Sequence, residues 1–295
     1  MKSKLTLLVL LFPLIGFCQA VSKLIAKDAV LKQIGVDFSF TEGPAVDAMG
    51  NVYFTDQPND RIMKWSTEGK IEVYLSPSGR ANGLHFDHNG NLLACADEHN
   101  QLWQIAPNKE VTVLVKDFEG KKLNGPNDLW VDPKGGIYFT DPFYKRDYWN
   151  RTEKEIEKEN VYYLSPDKKT LRIAAGDFVR PNGIIGTKNG KKLFVADIND
   201  KKTYTYTINP DGTLSNRTLF TEMGSDGMTL DSKGNLYLTG KGVTVFNKKG
   251  KQIAHIKVDE GWTSNVTFGG KQRKTLFITA MKSLYTLEMK VKGIR

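Results

Sequence analysis

The chain has 295 residues, of which 25% are charged and 40% hydrophobic, and this ordinary globular composition excludes a disordered tail or a fibre. The formal net charge is +9, but the lysines are scattered through turn-like stretches without a basic helix or a nucleic-acid-binding motif. The charge therefore indicates solubility, and we expect no nucleic-acid partner.

Residues 1–20 have the pattern of a signal peptide. Lys2 and Lys4 precede an apolar run over residues 5–17, and Cys18-Gln19-Ala20 offers small residues at both ends of a cleavage site. The run is too short to span a bilayer, which needs about 20 residues. We expect cleavage after Ala20, a secreted or periplasmic protein without membrane contact, and a single domain over residues 21–295. A lipid anchor on Cys18 is the alternative, although Phe17 stands where a small residue is needed.

Six copies of one pattern follow, each an apolar strand, a turn with glycine and a second apolar strand. They occupy residues 46–56, 86–97, 131–141, 185–197, 230–240 and 268–280. Further strand-like runs come after most copies, for example residues 61–65 and 71–75. Four strands in a repeat of about 40–45 residues predict an all-β, six-bladed propeller with four-stranded blades, and the strict alternation excludes a helical solenoid. Residues 152–160 are the one candidate helix.

The last repeat is one strand short, whereas residues 29–38 are an extra strand-like stretch before the first repeat. A propeller must close, because an open ring leaves unpaired sheet edges. We therefore expect the N-terminal segment, residues 21–40, to supply the outer strand of the last blade.

A side chain with an oxygen atom stands five positions before the same point in every copy. These ring residues are Glu42, Asn82, Asn127, Asn182, Asp226 and Asn265. The first strand of each blade lines the channel, so we expect a ring at the channel mouth. The second strand returns to the same face, which adds Gln57, Asp97-Glu98-His99, Asp141 and Asp197 to the rim. Such oxygens suit Ca²⁺ and not structural zinc; the alternative is that each residue caps the turn before its strand.

Other residues have more than one interpretation. Cys95, in a strand-like run, is interpreted as a buried small hydrophobe. Arg80 and Arg180 precede ring positions, where they either bind a substrate carboxylate or hydroxyl or are surface charges. The long segment of residues 143–160 carries Tyr144, Tyr148 and Trp149 on the mouth face. It is either a lid with aromatic faces for a sugar ring or a solvated helical excursion.

The sequence resembles the SMP-30/gluconolactonase/LRE-like family, and most of all its bacterial gluconolactonase branch. The resemblance runs from about residue 40 to residue 287. It rests on Glu42-Gly43-Pro44, Asn82-Gly83-Leu84, Pro126-Asn127-Asp128, Tyr138-Phe139-Thr140-Asp141-Pro142, Arg180-Pro181-Asn182-Gly183, Asp226-Gly227-Met228 and Leu276-Phe277-Ile278-Thr279-Ala280. The resemblance implies one divalent cation held by Glu42, Asn182 and Asp226, with Asn127 as a fourth ligand or a substrate contact. With the oxygen ligands of the ring, we expect Ca²⁺ before Zn²⁺, Mg²⁺ or Mn²⁺.

The implied activity is metal-dependent hydrolysis of a small cyclic ester such as a sugar lactone. Asp226 is then the general base or nucleophile, unless a water bound to the cation supplies the attacking oxygen. His99 is a second catalytic candidate or a structural residue, and the expected substrate contacts are Arg80, Asn82, Asn127 and Tyr144. Asn100-Gln101-Leu102-Trp103, Phe143 and Lys145 depart from the branch's pattern on the substrate side. An organophosphate or phosphotriester hydrolase and a non-catalytic sugar-binding propeller are the alternatives.

Overall fold

The computed structural model describes residues 23–294, so the predicted signal peptide and its cleavage site lie outside the described residues. The strands within that range form six antiparallel sheets of four strands each. The predicted all-β, six-bladed propeller is therefore confirmed. Residues 23–294 include no helix long and apolar enough to cross a membrane.

Each blade is one sheet whose four strands follow one another from the channel outwards. Blade one contains β2 (Thr41–Val46), β3 (Val52–Asp56), β4 (Arg61–Trp65) and β5 (Ile71–Leu75). Blade two contains β6 (Ala81–Phe86), β7 (Leu92–Ala96), β8 (Gln101–Ile105) and β9 (Val111–Val115). Blade three contains β10 (Leu129–Val131), β11 (Ile137–Asp141), β12 (Glu159–Leu164) and β13 (Leu171–Phe178). Blade four contains β14 (Pro181–Gly186), β15 (Lys192–Asp197), β16 (Lys202–Ile208) and β17 (Leu214–Thr221). Blade five contains β18 (Met228–Leu230), β19 (Leu236–Gly240), β20 (Gly242–Phe246) and β21 (Gln252–Ile256). Blade six contains β22 (Asn265–Gly269), β23 (Thr275–Ala280), β24 (Ser283–Glu288) and β1 (Lys32–Gly35). Two short 3₁₀ turns follow β3 and β7, over Gln57–Asn59 and Asp97–His99.

The repeated sequence pattern corresponds to the hairpin between the first two strands of each blade. In blade one, Oδ1 of Asp47 accepts hydrogen bonds from the backbone N–H groups of Met49 and Asn51, both at 2.9 Å. Gly50 follows with φ +95°, a conformation that side chains with a Cβ rarely adopt. The same aspartate-capped turn recurs in blades two, three and five. Turn chemistry thus fixes the register of the inner hairpins.

The inner strands contact one another around the whole circle, and β22 returns to β2. The core lies between blades, where apolar side chains of adjacent sheets interlock; Tyr53 of blade one, for example, meets the ring of Phe86 of blade two at 5.0 Å. Cys95 is fully buried in this core as a free thiol, as predicted.

The N-terminal strand completes the last blade. β1 pairs with β24, with Lys32 opposite Thr286 and Gln33 opposite Tyr285. The predicted closure is therefore confirmed, although the strand, Lys32–Gly35, is shorter than residues 29–38; Asp37 has φ +69°, which interrupts the extended backbone before Phe38.

The segment between β11 and β12 differs from the prediction. Residues 152–160 are not helical: the backbone is irregular until β12 begins at Glu159. Its charged side chains bond to other parts of the fold instead of along a helix. The guanidinium of Arg151 donates to the carbonyls of Leu123 and Asn124, and the carboxylate of Glu155 accepts the backbone N–H of Lys122. The prediction of a solvated helical excursion is therefore wrong.

Candidate active site

The six ring residues lie at corresponding ends of the inner strands. Five are buried and Asp226 is partly exposed. They are Glu42 in β2, Asn82 in β6, Asn127 before β10, Asn182 in β14, Asp226 before β18 and Asn265 in β22. Adjacent blades approach closely at this level: at Gly43, with φ +42°, an added Cβ would lie 2.0 Å from the carbonyl oxygen of Asn82. A glycine is therefore required next to the first ring position.

Asp226 is held by hydrogen bonds to both of its carboxylate oxygens. The side-chain amide of Asn182 donates to Oδ1 at 2.9 Å, and the indole N–H of Trp262 donates to Oδ2 at 2.6 Å. Burial raises the pKa of Asp226 to about 6, although both hydrogen bonds act to lower it. The same amide of Asn182 also donates to the hydroxyl of Tyr144 at 2.9 Å. The structure thus brings three predicted site residues together.

Glu42 lies in blade one, next to blade six, where the first and last blades meet. Its Oε2 accepts the backbone N–H of Gly43 at 2.5 Å and the side-chain amide of Asn265 at 3.1 Å. Burial, followed by repulsion from Asp226, raises the pKa of Glu42 well above its ordinary value. A buried carboxylate whose charge is disfavoured by a neighbouring carboxylate forms a site that a cation would stabilise.

Asp128 is a third central carboxylate, which the register of the repeats did not predict. Its Oδ1 accepts the backbone N–H of Leu129 at 2.9 Å, and its Oδ2 accepts that of Ile184 at 3.4 Å. Burial raises the pKa of Asp128 to about 7, and the charge of Asp226 acts in the same direction. The signal was present in the Pro126-Asn127-Asp128 motif, but the register selected only its asparagine.

Several oxygens of the ring are free to bind a cation. In the described part of the chain, no hydrogen bond reaches Oε1 of Glu42 or the side-chain oxygens of Asn82 and Asn182. The oxygen of Asn82 is buried without any partner among those residues, an arrangement that is costly unless a ligand satisfies it. No three His, Cys, Asp or Glu side chains of residues 23–294 group as a metal site, so a cation would need these amide oxygens. The donor set fits a hard divalent ion such as Ca²⁺.

Two rim aspartates have structural roles. Asp141 accepts the backbone N–H groups of Asn124 and Gly125, and Asp197 accepts those of Val179 and Arg180. Each therefore anchors the chain just before a ring residue of its own blade.

Asp97 has a different role from its counterparts. It is 2% exposed, and its Oδ2 accepts hydrogen bonds from Nε of Arg146 at 3.0 Å and from the hydroxyl of Tyr148. The indole of Trp149 donates to the Asp97 carbonyl at 2.9 Å. Hydrogen bonds to blade two thus fix the segment of residues 143–160, which connects β11 to β12 of blade three. This segment lies over the mouth face.

His99 and Arg80 lie together at the outer part of this face. His99 is exposed and stacks on Trp103 with ring centroids 5.2 Å apart. Arg80 lies 4.6 Å from the ring centre of Tyr148, and its Nε is 3.6 Å from Glu98. Within residues 23–294, no hydrogen bond or ion pair joins His99 to a ring residue. A direct role of His99 at Asp226 therefore stays a prediction.

A family model described as the SMP-30/gluconolactonase/LRE-like region matches residues 40–282. The chain belongs to this family. The ring residues and the segment over the mouth all fall inside the matched range, so the candidate site is part of the family's own domain.

Three proteins similar to this chain are described as gluconolactonases or as a diisopropyl-fluorophosphatase. A gluconolactonase of Zymomonas mobilis is 29% identical, with 89% of this chain and 82% of the relative covered. A diisopropyl-fluorophosphatase of Loligo vulgaris is 26% identical, with 85% of this chain and 89% of the relative covered. A solved structure from Xanthomonas campestris, described as a gluconolactonase, is 28% identical with a TM-score of 0.85, and 92% of each chain is covered.

Proposed function

We propose that the protein is a secreted hydrolase of a small lactone, with one divalent cation, Ca²⁺ before other ions, in the central channel. The observation that carries the proposal is the ring itself: among residues 23–294, Oε1 of Glu42 and the side-chain oxygens of Asn82 and Asn182 have no hydrogen-bond partner, and they share the ring with the anchored carboxylate of Asp226. The gluconolactonases of Zymomonas mobilis and Xanthomonas campestris support the lactone as substrate class.

The residues of this chain have distinct roles in the proposed reaction. Glu42, Asn182 and Asp226 would hold the cation, with Asn127 as a fourth ligand or a substrate contact. When bound, the cation supplies Lewis-acid polarisation of the substrate's carbonyl oxygen. Asp226 serves as general base or nucleophile, because two hydrogen bonds hold its carboxylate at the ring beside the oxygens that would hold the cation.

Trp262 and Asn182 fix the orientation of that carboxylate through its two oxygens. This restraint keeps the reactive oxygen in one position relative to the substrate, which is how positioning contributes to rate. Tyr144 and the segment over the mouth would cover the sugar and limit the entry of water.

Hydrolysis of a phosphotriester is the second candidate, and the diisopropyl-fluorophosphatase of Loligo vulgaris supports it. The same oxygens would serve, because a cation polarises a phosphoryl oxygen as it does a carbonyl. Lactones and organophosphates therefore belong in the same assay.

The test is turnover of sugar lactones, aryl esters and organophosphates before and after exhaustive chelation, with Ca²⁺ added back. We expect lactone turnover to disappear on chelation and return with the cation. Asp226→Asn should abolish turnover, whereas Asp259→Asn is a matched control, since Asp259 is 81% exposed and, among residues 23–294, forms an ion pair with Lys257 alone. Full activity of protein shown by elemental analysis to be metal-free would contradict the cation's role. Sugar binding without any turnover would instead indicate a binding module.

A further inference from the structure

Two arginines lie over the same tyrosine ring at the channel mouth. The guanidinium carbon of Arg180 is 4.9 Å from the ring centre of Tyr144, and that of Arg146 is 5.4 Å from it. The Tyr144 hydroxyl accepts a hydrogen bond from Asn182, which in turn donates to Asp226. The two guanidiniums are therefore separated from the proposed reactive carboxylate by a single tyrosine and a single asparagine.

The two arginines are held differently, and both leave their outer edges free. Nε of Arg146 donates to Asp97 at 3.0 Å, whereas Nε of Arg180 makes no hydrogen bond among residues 23–294 and lies 3.6 Å from Glu159 in an ion pair. Among the same residues, no hydrogen bond is made by the two terminal nitrogens of either side chain. The side chains of Arg146 and Arg180 are 23% and 30% exposed. Two guanidinium edges over one ring are a geometry that suits carboxylate or phosphate oxygens.

The carboxylates nearest to this pair are shared with other groups. Glu159 is buried and already accepts Nζ of Lys154 at 2.5 Å, so it is shared between Lys154 and Arg180. Asp97 accepts from Arg146 and also from the hydroxyl of Tyr148. Asp226 makes no ion pair with either arginine, although Arg146 is near enough to lower the pKa of that carboxyl. A ligand without an anionic group would leave the terminal nitrogens of both guanidiniums without a charged partner.

We propose that Arg146 and Arg180 bind an anionic group, a carboxylate or a phosphate, carried by the substrate away from the bond that is cleaved. This inference rests on the proposed function, because it names the class of lactone that the same site takes. The Tyr144 ring would then face the sugar between its charged end and the reacting carbonyl. A lactone of an acidic or phosphorylated sugar has this layout, whereas glucono-1,5-lactone lacks the charged end.

The test compares kcat/KM for glucono-1,5-lactone, 6-phosphoglucono-1,5-lactone and glucaro-1,4-lactone. We expect the wild type to prefer one of the charged lactones, and which one it prefers distinguishes phosphate from carboxylate. Arg180→Gln should reduce the ratio of charged to neutral kcat/KM by about 10- to 100-fold, the range for a lost charge-assisted hydrogen bond. Arg180→Lys should retain part of the preference.

Arg217→Gln is the matched control, because Arg217 lies 4.0 Å from the ring centre of Tyr204 in the same blade, on the outer strand β17. It should leave the ratio within about twofold. Added salt should reduce the preference for the charged lactones, since exposed charges are screened. Equal kcat/KM for charged and neutral lactones in the wild type, or an equal loss for both in Arg180→Gln, would overturn the inference and make the arginines mere supports of Tyr144.

A binding measurement separates this inference from the proposed function. If no lactone is hydrolysed, calorimetric titration with 6-phosphogluconate, glucarate and the neutral polyol glucitol decides the matter without turnover. Tighter binding of either of the first two ligands than of glucitol, lost in Arg180→Gln and kept in Arg217→Gln, would support the anion site although the reaction class is wrong. Equal or absent binding of all three would overturn it.

Discussion

Replacing Asp226 with asparagine should stabilise the cation-free protein while it removes turnover. Burial raises the pKa of this carboxyl from 3.8 to about 6. Because one pKa unit corresponds to about 1.4 kcal/mol, the ionised group makes folding less favourable by up to roughly 3 kcal/mol at neutral pH. Asp226→Asn removes that charge at nearly constant size.

The gain in free energy of unfolding is reduced because the variant loses one hydrogen bond. Trp262 and Asn182 both donate to the carboxylate, and an asparagine has only one oxygen to accept them. A lost hydrogen bond costs about 1 kcal/mol, so the net gain in free energy of unfolding is about 2 kcal/mol. The folded wild type binds more protons than the unfolded chain between about pH 4 and pH 6. Its stability therefore falls as pH rises through that window, and the advantage of the variant disappears below about pH 4.

The assay is urea unfolding in excess chelator at pH 7.5 and at pH 4, with Asp259→Asn as control. Added Ca²⁺ should reverse the order at pH 7.5, because the wild type binds the cation more tightly and ligand binding stabilises the folded state. A chelated Asp226→Asn protein that is less stable than the wild type at pH 7.5 would refute the reasoning. So would an advantage of equal size at both pH values.

Other changes to the ring and its closing strand should have separable effects. Excess cation should largely restore turnover of Glu42→Gln and hardly that of Asp226→Asn, as measured against metal concentration; equal rescue would mean that Asp226 is only a ligand. Deleting residues 23–38 should lower the melting temperature far more than deleting a surface loop of equal length, because β24 becomes an open edge. Gly43→Ala should cost several kcal/mol in urea unfolding, because its Cβ would lie 2.0 Å from the Asn82 carbonyl oxygen; wild-type stability would contradict this close approach.

The propeller could be predicted because its strands follow local rules. Residues 61–65 and 71–75 are short runs rich in aliphatic and aromatic side chains on either side of a polar turn, and they are strands β4 and β5 with those bounds. The closing strand could be predicted from a missing edge, but its length could not, since Gly35 and the register shift beside it depend on the packing of the last blade.

The site was harder to predict because regular alternation fails at the ring. Register shifts interrupt β2 after Glu42, β6 after Ala81 and β14 after Pro181, so neighbouring residues no longer point to opposite faces in turn. Asn127 and Asp128 lie before β10 begins at Leu129, so strand alternation could not show that both side chains belong to the site. Trp262 and Arg146 were missed for another reason: they reach Asp226 and Asp97 across blades, over contacts that no local sequence pattern records.

The pairing of β1 with β24 determines when, during synthesis, the active site can assemble. Each ring residue belongs to a different blade, and the hydrogen bond from Gln33 to Tyr285 joins residues 252 positions apart. A nascent chain lacking only its last blade would already hold five of the six ring residues, yet the circle that brings them together would be incomplete. Contacts this distant in sequence also form slowly. The site forms only when all six blades are present and the ring is closed. Its chemistry therefore begins only after synthesis of the final strand.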